Sequence, residues 1–493
     1  MVGGGAEQDG SACSTLVTPK EENKTEPGDK VKMRKQLGLL EGVAIILGII
    51  FGSGIFISPS GVMEDAGSVG FSLAVWCMCG LMSMIGALCY AELGTSIPKS
   101  GGDYAYIFES FGPLFAFLYL WDAMLIFVPT TNAIMGLTFA RYVIQPFFQD
   151  CAAPDDAIRI LAAATICFLT WINCHGVKST TKMQNVFMFA KIGALVTIIV
   201  VGVVYLMLPG GTRNFDNMFE GTSTSVSKVS IAFYAGIFSY SGWNYLNFMT
   251  EELVDPFVNL PRAIYISLPV VTFVYVLANV AYLAVLSATE IMSSKAIAFS
   301  FADRALGPAA GVMPFMVALS AFGGLSVHIM TSSRMCFVGA RHGHFPAMLS
   351  HINIQRYTPV PSLVFLCLLS LLMLCSSDVN VLITYSSFVE SFFIMLSVSG
   401  LLWLRYKEPN MERPIKVTIW IPISFILICL FLLIVPIFEE PYAVGMGILI
   451  TVTGVPVYLI FVALDKKPLW FTKTMVTFTH CVQKLFVSAR EED

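Results

Sequence analysis

Gly48-Ile49-Ile50-Phe51-Gly52-Ser53-Gly54-Ile55-Phe56-Ile57-Ser58-Pro59 is the stretch on which the fold turns. It lies in an apolar run near 38–60, and three small residues, Gly52, Ser53 and Gly54, interrupt that run at mid-depth. A second run near 229–251 is interrupted by Ser239-Tyr240-Ser241-Gly242, about five apolar segments later. Paired Gly-broken segments at matching places in two halves of a chain point to an inverted-repeat transporter with its site at the bilayer midplane. Small residues also let two membrane helices pack closely without any site. Periodicity alone leaves both readings open.

The surrounding chain fits a membrane. Of its 493 residues, 56% are apolar and 13% charged, with a mean hydropathy of +0.75, far from the roughly 25% charged share of soluble domains. A span needs about 20 mostly apolar residues to cross about 30 Å of hydrocarbon. That ruler picks out twelve segments, near 38–60, 68–94, 113–146, 158–175, 184–208, 229–251, 264–287, 310–340, 361–377, 381–404, 417–437 and 443–464. The expectation is therefore an all-α polytopic membrane protein with twelve transmembrane helices at 37–466, between cytoplasmic tails at 1–36 and 467–493. The first tail, rich in Gly, Glu, Lys and Pro, reads as disordered.

Lys and Arg collect in the short loops on one side: Lys99, Lys178, Lys182, Arg262, Arg341, Arg356, Arg405 and Arg413. The opposite loops carry Asp150, Asp155, Asp156, Asp378, Glu439 and Glu440. By the positive-inside rule both termini face the cytoplasm. The sequon Asn23-Lys24-Thr25 then lies inside and goes unglycosylated. A net charge of −4 with no basic stripe argues against nucleic-acid binding. The cysteines show no metal spacing, most lying inside apolar runs as small hydrophobes. No cofactor is expected. Ser-His-Asp, HExxH and phosphate-loop patterns are missing, so an enzyme is not the expectation.

Broken helices suit a zwitterion. A half-helix beginning near Ser53 and Gly54 offers free N–H groups and a positive dipole end to a carboxylate. Carbonyls freed at Ile50 and around Phe238 and Ser239 can accept from an ammonium, and glycines at 52, 54 and 242 let the backbone come close. Phe238, before the second break, is placed to close over a ligand as a gate, although a chain with 38 Phe has many that merely pack. Lys191 falls inside the fifth segment, where a charge marks function by default unless it snorkels to the interface.

Longer motifs surround these positions. Gly52-Ser53-Gly54-Ile55-Phe56-Ile57-Ser58-Pro59, Ala91-Glu92-Leu93-Gly94 running on to Lys99-Ser100-Gly101-Gly102, and Gly242-Trp243-Asn244-Tyr245-Leu246-Asn247 are three of them. Thr250-Glu251-Glu252, Asn259-Leu260-Pro261 and Gly343-His344-Phe345-Pro346 are three more. Over about 36–470 the chain resembles the light chains of heteromeric amino-acid transporters, in the amino acid–polyamine–organocation superfamily. The resemblance implies a LeuT-type five-plus-five inverted repeat followed by two further helices, and sodium-independent exchange of one amino acid for another. It implies a plasma-membrane partner as well: a single-span glycosylated heavy chain, joined by a disulfide through Cys151, which otherwise reads as a free external thiol. Lys191 resembles a built-in stand-in for a bound sodium ion.

Departures from the family pattern concern the side-chain pocket. Where the large-neutral subgroup resembles Asn-Trp, this chain has Glu390-Ser391, and a carboxylate there favours a cationic side chain unless it is protonated or paired. Asn244, set where the subgroup handling cationic substrates tends to have Asp, pulls the other way. The eighth segment reads Phe322-Gly323-Gly324-Leu325-Ser326-Val327-His328, with Ser326 in place of an Asn and His328 gained, more often a structural hydrogen-bonder than a proton relay. Ser241 stands where the large-neutral subgroup has Gly. The expected substrates are neutral L-amino acids, contacted by Ile50, Ser53, Gly54, Phe238, Ser239, Ser241, Asn244 and Glu390. Cationic-plus-neutral exchange, an ion-coupled carrier and an amino-acid-sensing receptor of the same fold remain as alternatives.

Overall fold

In hydrocarbon every backbone N–H and C=O must find its partner inside the protein, and apolar runs of this length do so as helices. A computed structural model describes residues 35, 37–52, 54–144, 147, 154–294, 297–375, 379–439, 441–464 and 469–490. The first expected span is two helices, α1 (Leu39–Ile50) and α2 (Gly54–Ala66), bent by 45° at the glycine break. Then come α3 (Val69–Ser96), α4 (Asp103–Phe111), α5 (Pro113–Asp122), α6 (Val128–Ile144), α7 (Asp155–His175) and α8 (Val177–Met207). A π-helical turn at Ala123–Phe127 joins α5 to α6.

The sixth span is α9 (Val226–Tyr240), a break, and a 3-10 stretch at Tyr245–Glu252. After α10 (Pro256–Val285), two short helices follow, α11 (Ala288–Ser293) and α12 (Ile297–Leu306). The remainder is α13 (Val312–Arg341), α14 (Val360–Met373), α15 (Val379–Lys407), α16 (Trp420–Glu439), α17 (Pro441–Tyr458) and α18 (Leu469–Phe486). Among the described residues eight helices are long and apolar enough to cross a membrane alone, and the α1–α2 pair makes a ninth. The other three expected segments fall on α9, α14 and α16, of which α9 and α14 run to 15 and 14 residues.

The two broken spans sit at the centre. Helix α1 packs on α10, α13 and α8, while α2 lies along α9. Helix α13 is buried along nearly its whole length and also contacts α6, α7 and α14. Large apolar side chains such as Phe189, Val200, Val204, Phe273, Leu372 and Phe438 point outward, as a bilayer-facing surface requires. Beyond the last span the chain holds more order than a simple tail. Helix α18 leads into β2 (Ser488–Arg490), which pairs antiparallel with β1 (His351–Asn353) in the loop after α13, His351 opposite Arg490.

Candidate functional site

The two breaks touch each other. Helix α1 ends at Ile50, and α2 restarts at Gly54, where a Cβ would stand 2.6 Å from Ser239 Cα. At the other break Ser241 is extended and Gly242 takes φ +101°, with room for a Cβ denied by Ile49 Cγ2 at 2.1 Å. Both readings of the small residues are therefore realised. They pack two backbones into contact, and the contact brings a helix N-terminus beside the C-terminal end of another. Ser53, expected at this crossing, lies outside the described residues.

Breaking a helix frees carbonyls, and four of those at the first break accept from side chains. Lys191 Nζ donates to Gly48 O at 2.5 Å. Tyr275 Oη donates to Ile50 O at 2.5 Å and lies 3.2 Å from Ser239 O, joining the two breaks through one hydroxyl. Ser320 Oγ, on α13, reaches Phe51 O at 2.6 Å and Gly52 O at 3.2 Å. Lys191 is 1% exposed, so the ammonium sits inside the protein and does not snorkel. Tyr275 and Ser320 went unnoticed in the sequence because a tyrosine or a serine inside an apolar run is unremarkable until the backbone it caps is known.

Beside the crossing opens a small cavity walled by both breaks. Ile50, Gly54, Phe238, Ser239, Ser241 and Glu390, six of the eight expected contacts, line it. So do Phe127, Thr130, Thr131, Ile134 and Met135 from the third span, Tyr245 from the 3-10 stretch, and His328 from α13. Phe127 closes the π-helical turn, an irregularity that recurs at functional sites and that the sequence pattern did not disclose.

Asn244 is placed differently. It lines a second, smaller cavity that shares Phe127, Tyr245 and Glu390 with the first and also holds Asp103 and Asp122. Its amide donates to Asp103 Oδ2 at 3.1 Å, and Oδ1 of the same carboxyl accepts from Ser397 at 2.8 Å and from Tyr90. Asp103 thus organises four elements, a role its Gly-Gly-Asp setting did not disclose. Ser326 is fully buried and off the cavity wall, its carbonyl 3.4 Å from Asn173 Nδ2. Cys151 lies outside the described residues. Among the described residues no three His, Cys, Asp or Glu side chains gather as metal ligands.

The loop end of the broken spans, where the 3-10 stretch meets α13, is held by charge. Arg334 Nε donates to Glu252 Oε1 at 2.7 Å, both side chains almost fully buried, and Arg341 makes two bonds to Glu251 at 2.8 and 3.1 Å. The Ser100 N–H donates to the same Glu251 carboxyl at 3.0 Å. Leu37, just before α1, bridges to Leu253, just after the 3-10 stretch.

The amino acid permease family matches residues 37–463, most of the chain and every element of the site. The chain belongs to that family. Large neutral amino acids transporter small subunit 2 of Oryctolagus cuniculus is 47% identical to the permease over 466 residues, 93% of this chain and 86% of the relative. Cystine/glutamate transporter of Homo sapiens is 43% identical over 472 residues, covering 96% and 94%. Asc-type amino acid transporter 1 of Mus musculus is 45% identical over 446 residues, covering 89% and 83%. These relatives bear out the resemblance to transporter light chains that the motifs implied, and they are transporters, not enzymes.

Proposed function

We propose that this permease exchanges neutral L-amino acids across the membrane by alternating access. One observation carries the reading: the N-terminus of α2 and the carbonyl end of α9 meet in one cavity, within a backbone contact that only glycine allows at position 54. The free N–H groups suit a carboxylate and the carbonyls an ammonium, so the cradle reads what all amino acids share. Phe238 serves as the gate over the ligand. Lys191, bonded to Gly48 O, supplies a fixed cation beside the break, which supports exchange without sodium. The relatives' names, which include neutral, cystine/glutamate and Asc-type transporters, support the class while leaving the substrate to the side-chain pocket.

The deciding experiment uses proteoliposomes. Vesicles preloaded with leucine take up labelled leucine without an ion gradient, and empty vesicles do not. Equal uptake by both overturns exchange in favour of a uniporter, a requirement for sodium or protons overturns it in favour of a coupled carrier, and binding without flux favours a receptor.

A second reading has its own support. Glu390 lines both cavities, and among the described residues no Lys or Arg lines either, so a cationic side chain would meet a carboxyl with no competing cation on those walls. On this reading Glu390→Gln lowers the ratio of lysine to leucine uptake by at least about tenfold, the worth of one hydrogen bond to a charged group; an unchanged ratio excludes it. The plasma membrane, with both termini in the cytoplasm, is the proposed setting. A disulfide from Cys151 to a single-span heavy chain completes the proposal. Non-reducing electrophoresis of Cys151→Ser beside wild type checks it, since a variant still migrating with the heavy chain rules that bond out.

A further inference from the structure

A chain of hydrogen bonds runs from the cavity wall into α14, and its far end fixes the direction of every bond in it. His328 lines the cavity with both ring nitrogens engaged, Nδ1 at 2.7 Å from Asn132 Oδ1 and Nε2 at 3.3 Å from Tyr245 Oη. Ser370 Oγ donates its single hydrogen to Leu366 O at 2.7 Å. Toward Asn132, 3.0 Å away, that hydroxyl has only lone pairs left, so the Asn132 atom facing it is the amide nitrogen. Oδ1 of Asn132 therefore faces His328 as an acceptor, and Nδ1 of the ring carries the hydrogen.

The other ring nitrogen follows. His328 is 1% exposed and its two partners are an amide and a phenol, so an imidazolium here would be a buried charge with no anion bonded to it. The ring is the neutral Nδ1–H tautomer, Nε2 is an acceptor, and Tyr245 donates to it. With that hydrogen committed, Tyr245 Oη has only lone pairs to offer a ligand. Glu390 adds carboxyl oxygens to the same cavity. Thr130 adds a buried hydroxyl, 2% exposed, for which no protein partner exists among the described residues. An unpartnered hydroxyl on a cavity wall is a group waiting for a ligand.

We propose that His328 is a positioning residue for substrate selection. By taking the Tyr245 hydrogen it turns this wall into an acceptor surface, which selects amino acids whose side chains carry N–H or O–H donors over apolar ones of similar size. The inference rests on the reading of this cavity as the substrate site. It gives a chemical role to the histidine that sets this chain apart from the family pattern in α13, and it assigns no proton transfer to that histidine.

Glutamine and methionine are the probes, similar in length and differing in the amide. Exchange kinetics in glutamine- or methionine-loaded proteoliposomes would be compared for wild type, His328→Phe, Tyr245→Phe, the double variant and His328→Gln. Wild type is expected to prefer glutamine in Vmax/KM. That preference falls about fivefold in each single Phe variant, the worth of one net hydrogen bond, and the loss lies in the KM for glutamine while Vmax holds within twofold. The double variant loses no more than either single one, because both act through one bond. His328→Gln keeps most of the preference, since an amide side chain supplies both the donor and the acceptor. A wild type indifferent to the two probes, an unchanged ratio in His328→Phe or Tyr245→Phe, or additive losses overturns the inference. Should His328→Phe not insert, Tyr245→Phe and His328→Gln decide alone. Failure of wild type to exchange any amino acid would instead defeat the reading of the site itself.

Discussion

The crossing of the broken helices and the loop end of the same spans solve opposite problems. At the crossing, freed carbonyls at Gly48, Ile50, Phe51 and Gly52 are covered by one ammonium and two hydroxyls, and the N–H groups at the start of α2 face a cavity. At the loop end, Glu251 and Glu252 are matched by Arg341 and Arg334, and Leu37 is stitched to Leu253. The first region covers its freed carbonyls with single side-chain donors beside a cavity, while the second matches charge with charge away from it. That difference identifies where binding free energy enters and where the chain is held together.

Removing one half of a buried ion pair tests the second region most severely. Glu252→Ala leaves the Arg334 guanidinium without a counter-charge and is expected to cost about 3–5 kcal/mol. In nanodiscs this appears as a large fall in the midpoint of thermal unfolding, or as failure to accumulate. Arg334→Met combined with Glu252→Leu should recover most of the loss, since two apolar side chains leave no buried charge. If the double variant melts no higher than Glu252→Ala, something other than the unpaired charge is responsible.

The first region is probed by shape. Gly54→Ala places a methyl group 2.6 Å from the Ser239 backbone, which cannot retreat as a flexible side-chain tip would. The crossing must open by several tenths of an ångström, and exchange is expected to drop by at least about tenfold, because displacing groups that hold the reacting partner even slightly is costly. The loop-end pairs stay intact, so the unfolding midpoint should move far less than in Glu252→Ala. Equal losses of stability in the two variants would erase the distinction between the regions.

The sequence disclosed these two regions unequally. Gly52, Gly54 and Gly242 marked the breaks, although only the longer motifs around them told a break from close packing, and six of the expected contacts line one cavity. What escaped were residues whose meaning depends on distant partners. Tyr275 and Ser320 cap carbonyls more than 200 residues away in the chain, and Asp103 meets Asn244 and Ser397 only once three spans are folded. Asn244 lies in the turn just before the 3-10 stretch, where its amide reaches Asp103 and lines the neighbouring cavity, a partner 141 residues away in the chain. His328 was visible as an oddity, and only the orientation of Ser370 gave it a direction. Helix α18 and its strand were read as plain tail because no apolar span follows to draw attention to them.

The smallest expected effect belongs to the outer of the two loop-end pairs, and its pH dependence separates it from the inner one. Arg341 and Glu251 are each close to 30% exposed, so solvent screens their attraction and Glu251→Gln should cost no more than about 1 kcal/mol at neutral pH. Two Arg341 hydrogen bonds and the Ser100 N–H all point at the Glu251 carboxylate. A carboxylate paired in the folded state contributes stability that is lost once acid protonates it. The gap between the unfolding midpoints of wild type and Glu251→Gln should thus be constant from neutrality down to about pH 5 and close on further acidification. A gap that instead widens on acidification would mean that the pair is not held by the Glu251 charge, and that the contact at the loop end is one of packing alone.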